Sequence, residues 1–361
     1  MKAKNQMIER FKEYFGNKGK IFCRHLQNKV SAIMQCGEAN TYSIARQLSK
    51  TNGKTFKANE MSIYRFLQDD NFQIDDSFWR CHINLIFASL KANGLIAIGD
   101  KLQINVDFTT NEDNFLILSA SILLQDKAIT IYFTMRKYPK KKNCMSYKKM
   151  EEAFIKGLSH VLSKRYSYVI VADRGFGNRR FANLCKENGF EYVLRMNESL
   201  IVETGGKKIN LKEKRADEEF DGYVVSWKEM HRFTIVRKGD KIWYLLSNSA
   251  ENNAQSYYER RFKIEKNYQD CKSSGYDIEK NKIRKYDRFK RMIYLVILAH
   301  ALTCIVGYII NVTRNSIKKN SITTDQLNTR LILAFSELDM RLYTSIIKNP
   351  CFSSDDSSQL N

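Results

Sequence analysis

Three hydrophobic patterns succeed one another along the chain. In residues 1–98 apolar side chains recur at three- and four-residue steps, as at Ile44 and Leu48 and again at Ile63, Phe66 and Leu67. That period predicts a mostly helical region. SIARQLSK (43–50) and ANEMSIYRFLQ (58–68) predict two short helices around a turn containing Gly53. The pair fits a helix-turn-helix, with Ser62, Tyr64 and Arg65 near a groove, and equally an ordinary helical bundle. The connection is longer than the usual three or four residues.

From residue 100 the period becomes two. Leu102, Ile104, Val106 and Phe108 alternate with Gln103, Asn105 and Asp107, which predicts a strand over 101–109. FLILSASILL (115–124) and AITIYFTM (128–135) flank the short turn 125–127, so three strands form an antiparallel meander. A helix over 147–163 follows, then the apolar strand YSYVIVAD (166–173), which ends on an aspartate. The next helix runs to a C-cap at Gly189 and precedes a strand at 190–196. The resulting order is β-β-β-α-β-α-β. The third pattern, at 199–248, is strand-like but polar and turn-rich, and predicts a β-rich insertion. Helices resume at 252–274, 287–313 and 324–347, before a polar, frayed tail.

Composition narrows the partner. The 361 residues include 60 Lys and Arg against 39 Asp and Glu, a formal charge of +21. With 43% hydrophobic residues the chain is not a disordered basic tail. So large a positive excess favours nucleic acid or an anionic membrane over a small metabolite. Ile293 to Ile310 carries no fixed charge and is near the minimum length for a membrane span. His300, Thr303, Gly307 and two tyrosines dilute it, so a buried core helix is expected there and no membrane partner. The eight cysteines form no CxxC and the five histidines no HxxxH. Scattered thiols behind an N-terminus with no apolar signal core read as reduced and intracellular.

The chemistry centres on acids. Asp107 lies near the end of the first strand and Asp173 ends the fourth. If those strands are neighbours the two carboxylates converge, and a divalent metal would relieve their repulsion. Oxygen ligands of this kind suit Mg²⁺ or Mn²⁺. A third element is the helix YYERRFKIEKNYQDCK (257–272). With Tyr258 at zero and about 100° per residue, Arg261 falls at about 300°, Glu265 at about 340° and Lys272 at about 320°. These four residues make one polar stripe, beside an apolar stripe of Tyr257, Ile264, Tyr268 and Cys271 that can face a core.

The run Tyr258-x2-Arg261-x3-Glu265-x6-Lys272 resembles the YREK signature of the insertion-sequence-four (IS-four) family of bacterial DDE transposases. Asp107-Phe108-Thr109-Thr110 resembles that family's first aspartate motif, and Ala172-Asp173-Arg174-Gly175-Phe176 its second. The β-rich insertion and the long apolar helix ending near Gly307 also stand in the family's places. The resemblance covers roughly 100–310. It implies an α/β, RNase H-like mixed-sheet catalytic core with a β-rich insertion, plus an N-terminal helical domain. The implied plan is a helical DNA-binding region at 1–98, the first part of the core at 99–198, the insertion at 199–250, the rest of the core with C-terminal helices at 251–348, and a flexible tail at 349–361.

The resemblance also implies a mechanism. Asp107, Asp173 and Glu265 would be catalytic and would hold two Mg²⁺ or Mn²⁺ ions, roughly 3.5–4 Å apart. The protein would nick double-stranded DNA at insertion-sequence ends with water, then use the freed 3′-hydroxyl for strand transfer into target DNA. Tyr258, Arg261 and Lys272 would bind phosphates, with Arg174 among the DNA contacts. Trp243 is the candidate for stacking a flipped base, although its alternation with Ile242 and Tyr244 suits sheet packing equally. A basic track is expected along 260–291, with twelve cations against five acids, and at Lys140 and Lys141. The implied partner is a second copy of the chain across paired ends, in the bacterial cytoplasm at the nucleoid. The alternatives are an RNase H-like nuclease without strand transfer and a catalytically silent DNA-binding relative.

Overall fold

The computed structural model describes residues 19–92, 94–111, 114–124, 127–138, 146–249, 253–265, 271, 276–278 and 281–318. The chain divides into two compact units, Met1–Ile96 with Gln269–Asn361, and Ala97–Tyr268.

The second unit is built on one ten-stranded sheet. Its strands are β1 (Lys101–Asn111), β2 (Phe115–Leu124), β3 (Lys127–Lys137), β4 (Ser167–Ala172), β5 (Glu191–Arg195), β6 (Ile201–Thr204), β7 (Lys207–Asn210), β8 (Glu218–Val224), β9 (Glu229–Lys238) and β10 (Lys241–Ser247). They lie in the order β3-β2-β1-β4-β5-β10-β9-β8-β6-β7. The meander β1–β2–β3 is antiparallel, as its alternation and short turn predict, while β1, β4 and β5 run parallel. Parallel strands need crossovers. Here a helix at Tyr147–Val161 links β3 to β4, and one at Arg179–Glu187 links β4 to β5. β2 and β4 are buried almost throughout, which accounts for their largely apolar sequences, broken in β2 by the buried Ser119 and Ser121. This is the RNase H-like mixed α/β core that the sequence implies.

The insertion is not a separate layer. β10 pairs antiparallel with β5, Leu246 opposite Leu194, so the insertion strands continue the core sheet. The strand β6 was not resolved by its own pattern, because it has only four residues and one buried side chain.

The first unit holds the helices α1 (Lys20–Cys36), α2 (Thr41–Asn52), α3 (Phe56–Gln68), α4 (Asp76–Ala92) and the long Tyr286–Lys318. Both α2 and α3 extend beyond the predicted segments, so Gly53–Thr55 alone joins them, a connection of helix-turn-helix length. Gly53 takes φ 70, the left-handed C-cap, and Thr55 caps α3 with its side chain. The long apolar helix is long enough to cross a membrane, but the most apolar 18-residue stretch within Tyr286–Tyr308 is 89% buried. Tyr294 packs edge-on to Phe78 at 4.7 Å, and Arg291 donates to the carbonyls of Leu67 and Phe72. The predicted helix over 324–347 and the tail lie outside the described residues.

Register is what positions the acids. The parallel pairing of β1 with β4 ends at Val106 opposite Ala172, and the next residues are Asp107 and Asp173. A short 3₁₀ turn, Arg174–Phe176, then carries the chain away, and Gly177 comes so near β5 that a methyl group there would collide with the Arg195 carbonyl. Gly177→Ala is therefore expected to cost about 1–3 kcal/mol in urea unfolding, because one backbone must move off the other. Unchanged stability would contradict this close approach.

Candidate active site

Asp107 and Asp173 lie side by side on adjacent parallel strands, but only Asp173 follows the end of its strand; Asp107, expected near the end of β1, sits within it opposite Ser119, because pairing with β2 carries β1 on to Asn111. The third contributor is the helix Ala254–Arg261, hereafter α7 in place of the predicted 252–274. It is interrupted at Phe262 and resumes for residues 263–265, which brings Glu265 to the same place. Beyond Glu265 only Cys271 of that segment is described, so Lys272 lies outside the described residues. Lys140 and Lys141 do too.

The side chain between the acids is Arg261. Its guanidinium is 3.3 Å from Asp107 Oδ2, 3.3 Å from Glu265 Oε1 and 4.0 Å from Asp173 Oδ2. Arg261 is 2% exposed and Tyr258 fully buried. Tyr258 and Arg261 of the polar stripe are thus turned into the protein against the acids, while Glu265 stays exposed. An Arg and a Tyr can be buried there because the carboxylates of the two strands satisfy them. Tyr258 donates its hydroxyl to Asp173 Oδ1 at 2.8 Å, and the Arg261 Nε remains buried without a partner. Tyr257, expected on the apolar side, is only half-buried.

Trp243 is 5% exposed, with its ring 5.1 Å from Tyr258 and 5.5 Å from Phe262. It shares a cluster with Val169, Val171, Val193, Val236 and Leu245. Of its two readings, sheet packing describes this position: the indole seats α7 on the sheet and has no open face for a base. Arg174 is exposed on the turn after Asp173, and its backbone N–H helps hold the Asp173 carboxylate.

Three supporting residues escaped the sequence reading. Arg195 ends β5 and lies 3.6 Å from Asp173 Oδ1. Gln103 and Asn105 are buried in β1; the Gln103 amide donates to Asn105 Oδ1 and to the Tyr257 carbonyl, both at 2.7 Å, tying α7 to the sheet. The signal was present in part, since Gln103, Asn105 and Asp107 share one face of β1.

Charge is unevenly held. Burial pushes the Asp107 carboxyl up to about 6, with Asp173 and Glu265 adding to the rise, against the opposing pull of Arg261 and the Phe108 N–H. Burial also works against ionised Asp173, but the Arg174 N–H, the Tyr258 hydroxyl, Arg261 and Arg195 together hold it below the usual carboxylate range. Burial, with Asp173 beside it, raises the Tyr258 phenol to about 12. Burial disfavours charged Arg261, but Tyr258 and the three acids outweigh it and hold the guanidinium firmly protonated.

The donors fit a hard divalent cation in their chemistry: three carboxylates and no nitrogen or sulfur ligand. They already surround one positive charge. Among the described residues, no three acids, histidines or cysteines are close enough to share an ion as they stand.

Residues 146–302 match the family model of the transposase DDE domain. The match takes in Asp173, Tyr258, Arg261 and Glu265, begins after Asp107, and covers less than half of the chain. It supports a DDE transposase with DNA as substrate. Comparison with curated proteins finds no match.

Two outcomes follow. Trp243→Ala is expected to cost about 3–5 kcal/mol in urea unfolding, whereas an indole free to stack would cost little. For Asp107 the folded protein binds the proton more tightly than the unfolded chain, so its stability contribution is present below about pH 4. It is lost as pH rises through about 6. In chelator-treated protein, Asp107→Asn should remove a decline of order 2 kcal/mol across that window, measured as unfolding free energy against pH. An identical pH profile in the variant would contradict it.

Proposed function

We propose that the chain is a cut-and-paste DNA transposase of the IS-four kind, in which Asp107, Asp173 and Glu265 are the catalytic acids. The observation that supports this is their convergence, from two adjacent strands and one helical segment, on the single buried cation of Arg261.

Each acid has a distinct setting. Asp173 is held ionised by the Arg174 N–H, Tyr258, Arg261 and Arg195. Asp107, pushed up to about 6 by burial and its acidic neighbours, is the acid that a modest fall in pH neutralises. Glu265, on the helical turn after Phe262, completes the set. Together they would hold Mg²⁺ or Mn²⁺, most simply as a pair of ions. When bound, such ions supply charge for the phosphoryl oxygens and a stronger attacking oxygen.

The remaining side chains position and neutralise. Tyr258 orients Asp173. Arg261 holds the acids together when no ion is present, and its planar fork also suits a phosphate. Trp243 and Gln103 keep α7 on the sheet, so the Glu265 turn cannot drift from the two strands. In such phosphoryl transfer, positioning and charge neutralisation are most of what a protein contributes. Water would release a 3′-hydroxyl from the transposon end, and that hydroxyl would attack a target phosphodiester. Two copies of the chain would act on paired ends.

The test is an end-cleavage and strand-transfer assay with Mg²⁺, on duplex DNA taken from the two regions that flank the gene. Asp173→Asn and Glu265→Gln are each expected to lower cleavage by about 10³-fold or more while DNA binding persists. Full cleavage by either variant would contradict the role of the acids. Cleavage by the wild-type protein without joined product would contradict strand transfer and leave a nuclease.

A further inference from the structure

The first unit buries a lysine among apolar side chains. α1 turns Cys23, Leu26, Val30 and Ile33 inward, each at most 1% exposed, and Lys29 lies with them at 1%. The Lys29 ammonium stands 4.5 Å from the centre of the Phe66 ring of α3. A ring face attracts an ammonium but does not neutralise it. Among the described residues no carboxylate pairs with Lys29.

The charged groups around it are all basic. Lys54, in the turn between α2 and α3, acts on Lys29 directly. Arg24 and His25 belong to α1 itself, and Lys29, Arg24 and Lys54 all act on His25. No acid of α2, α3 or the long helix acts on Lys29 among the described residues. Burial, with Lys54 beside it, lowers the Lys29 ammonium to about 8. Burial and the same cations also lower His25. A charged Lys29 therefore opposes the docking of α1, and a neutral one favours it. The start of α1 has little to offset this, since its N-cap is Gly19, with no capping side chain, and its first turn holds no acid.

We propose that Lys29 is a proton-operated latch: neutral, it holds α1 firmly against α3, and charged, it loosens α1. The latch is independent of the acid cluster and of the function proposed above. Its sign follows from the lowered affinity for the proton in the folded chain. The penalty is complete below about pH 8 and fades as pH rises from there to about 10.4, where the unfolded lysine titrates.

The test is hydrogen exchange of the α1 amides in the full chain at about pH 7 and about pH 9, corrected for the intrinsic rate at each pH. Wild-type protection should rise about tenfold between the two. Lys29→Met, which keeps the length of the side chain without its charge, should already be better protected than wild type at the lower pH and should gain little more. Lys50→Met, at an exposed lysine of α2, should behave as wild type. Lys54→Gln is also at an exposed site, and it should raise protection at the lower pH and shrink the gain. It decides the matter if Lys29→Met does not fold. No rise in wild type, or the full wild-type rise in either Lys29→Met or Lys54→Gln, overturns the latch.

Discussion

Two half-buried carboxylates on neighbouring strands repel one another, and a cation between them relieves that repulsion. Parallel pairing of β1 with β4, ending at Val106 opposite Ala172, puts Asp107 and Asp173 in that position. Arg261 supplies the charge. Because the guanidinium is buried, the helix that carries it must dock face-down, which buries Tyr258 and brings Glu265 to the same point. The rest of the site follows from that one electrostatic requirement. Removing Arg261 alone would leave Asp107 half-buried without its main opposing charge, which is costlier than losing a fully exposed pair.

The same requirement explains the division of labour around the helix. Trp243 fills the space between α7 and the sheet and meets Tyr258 and Phe262. Gln103 reaches from β1 to the backbone of Tyr257. These contacts are apolar or neutral, so they hold the helix without competing for the acids. Ligand readiness is then set by local neighbours: hydrogen bonds and cations favour ionised Asp173, whereas burial and two nearby acids oppose ionised Asp107.

Much of this was legible in the sequence, for reasons that differ by element. The meander and its crossovers follow from alternation in β1 and from apolar runs in β2 and β4, where both faces of a strand are covered. The spacing of Tyr258, Arg261 and Glu265 placed them on one stripe, but a helical wheel has no inside or outside. It could not tell an exposed phosphate edge from a stripe buried against acids, since that depends on what the sheet presents. Trp243 was ambiguous for the same reason: alternation marks a face, and only the strand order places α7 over it. Arg195 became visible only when β5 was known to lie parallel beside β4. The α2–α3 turn was legible in kind through Gly53, and the fraying of pattern at helix ends hid its true length.

The central claim is that Asp107, Asp173 and Glu265 form one cation site that Arg261 fills in the absence of metal. The most direct measurement is titration of Mn²⁺ into chelator-stripped protein, with free ion followed by electron paramagnetic resonance, for wild type and Glu265→Gln. Saturable binding by wild type, weakened about 10–100-fold or more in the variant, is the predicted result. Equal binding by the two proteins, or none by wild type, would contradict it.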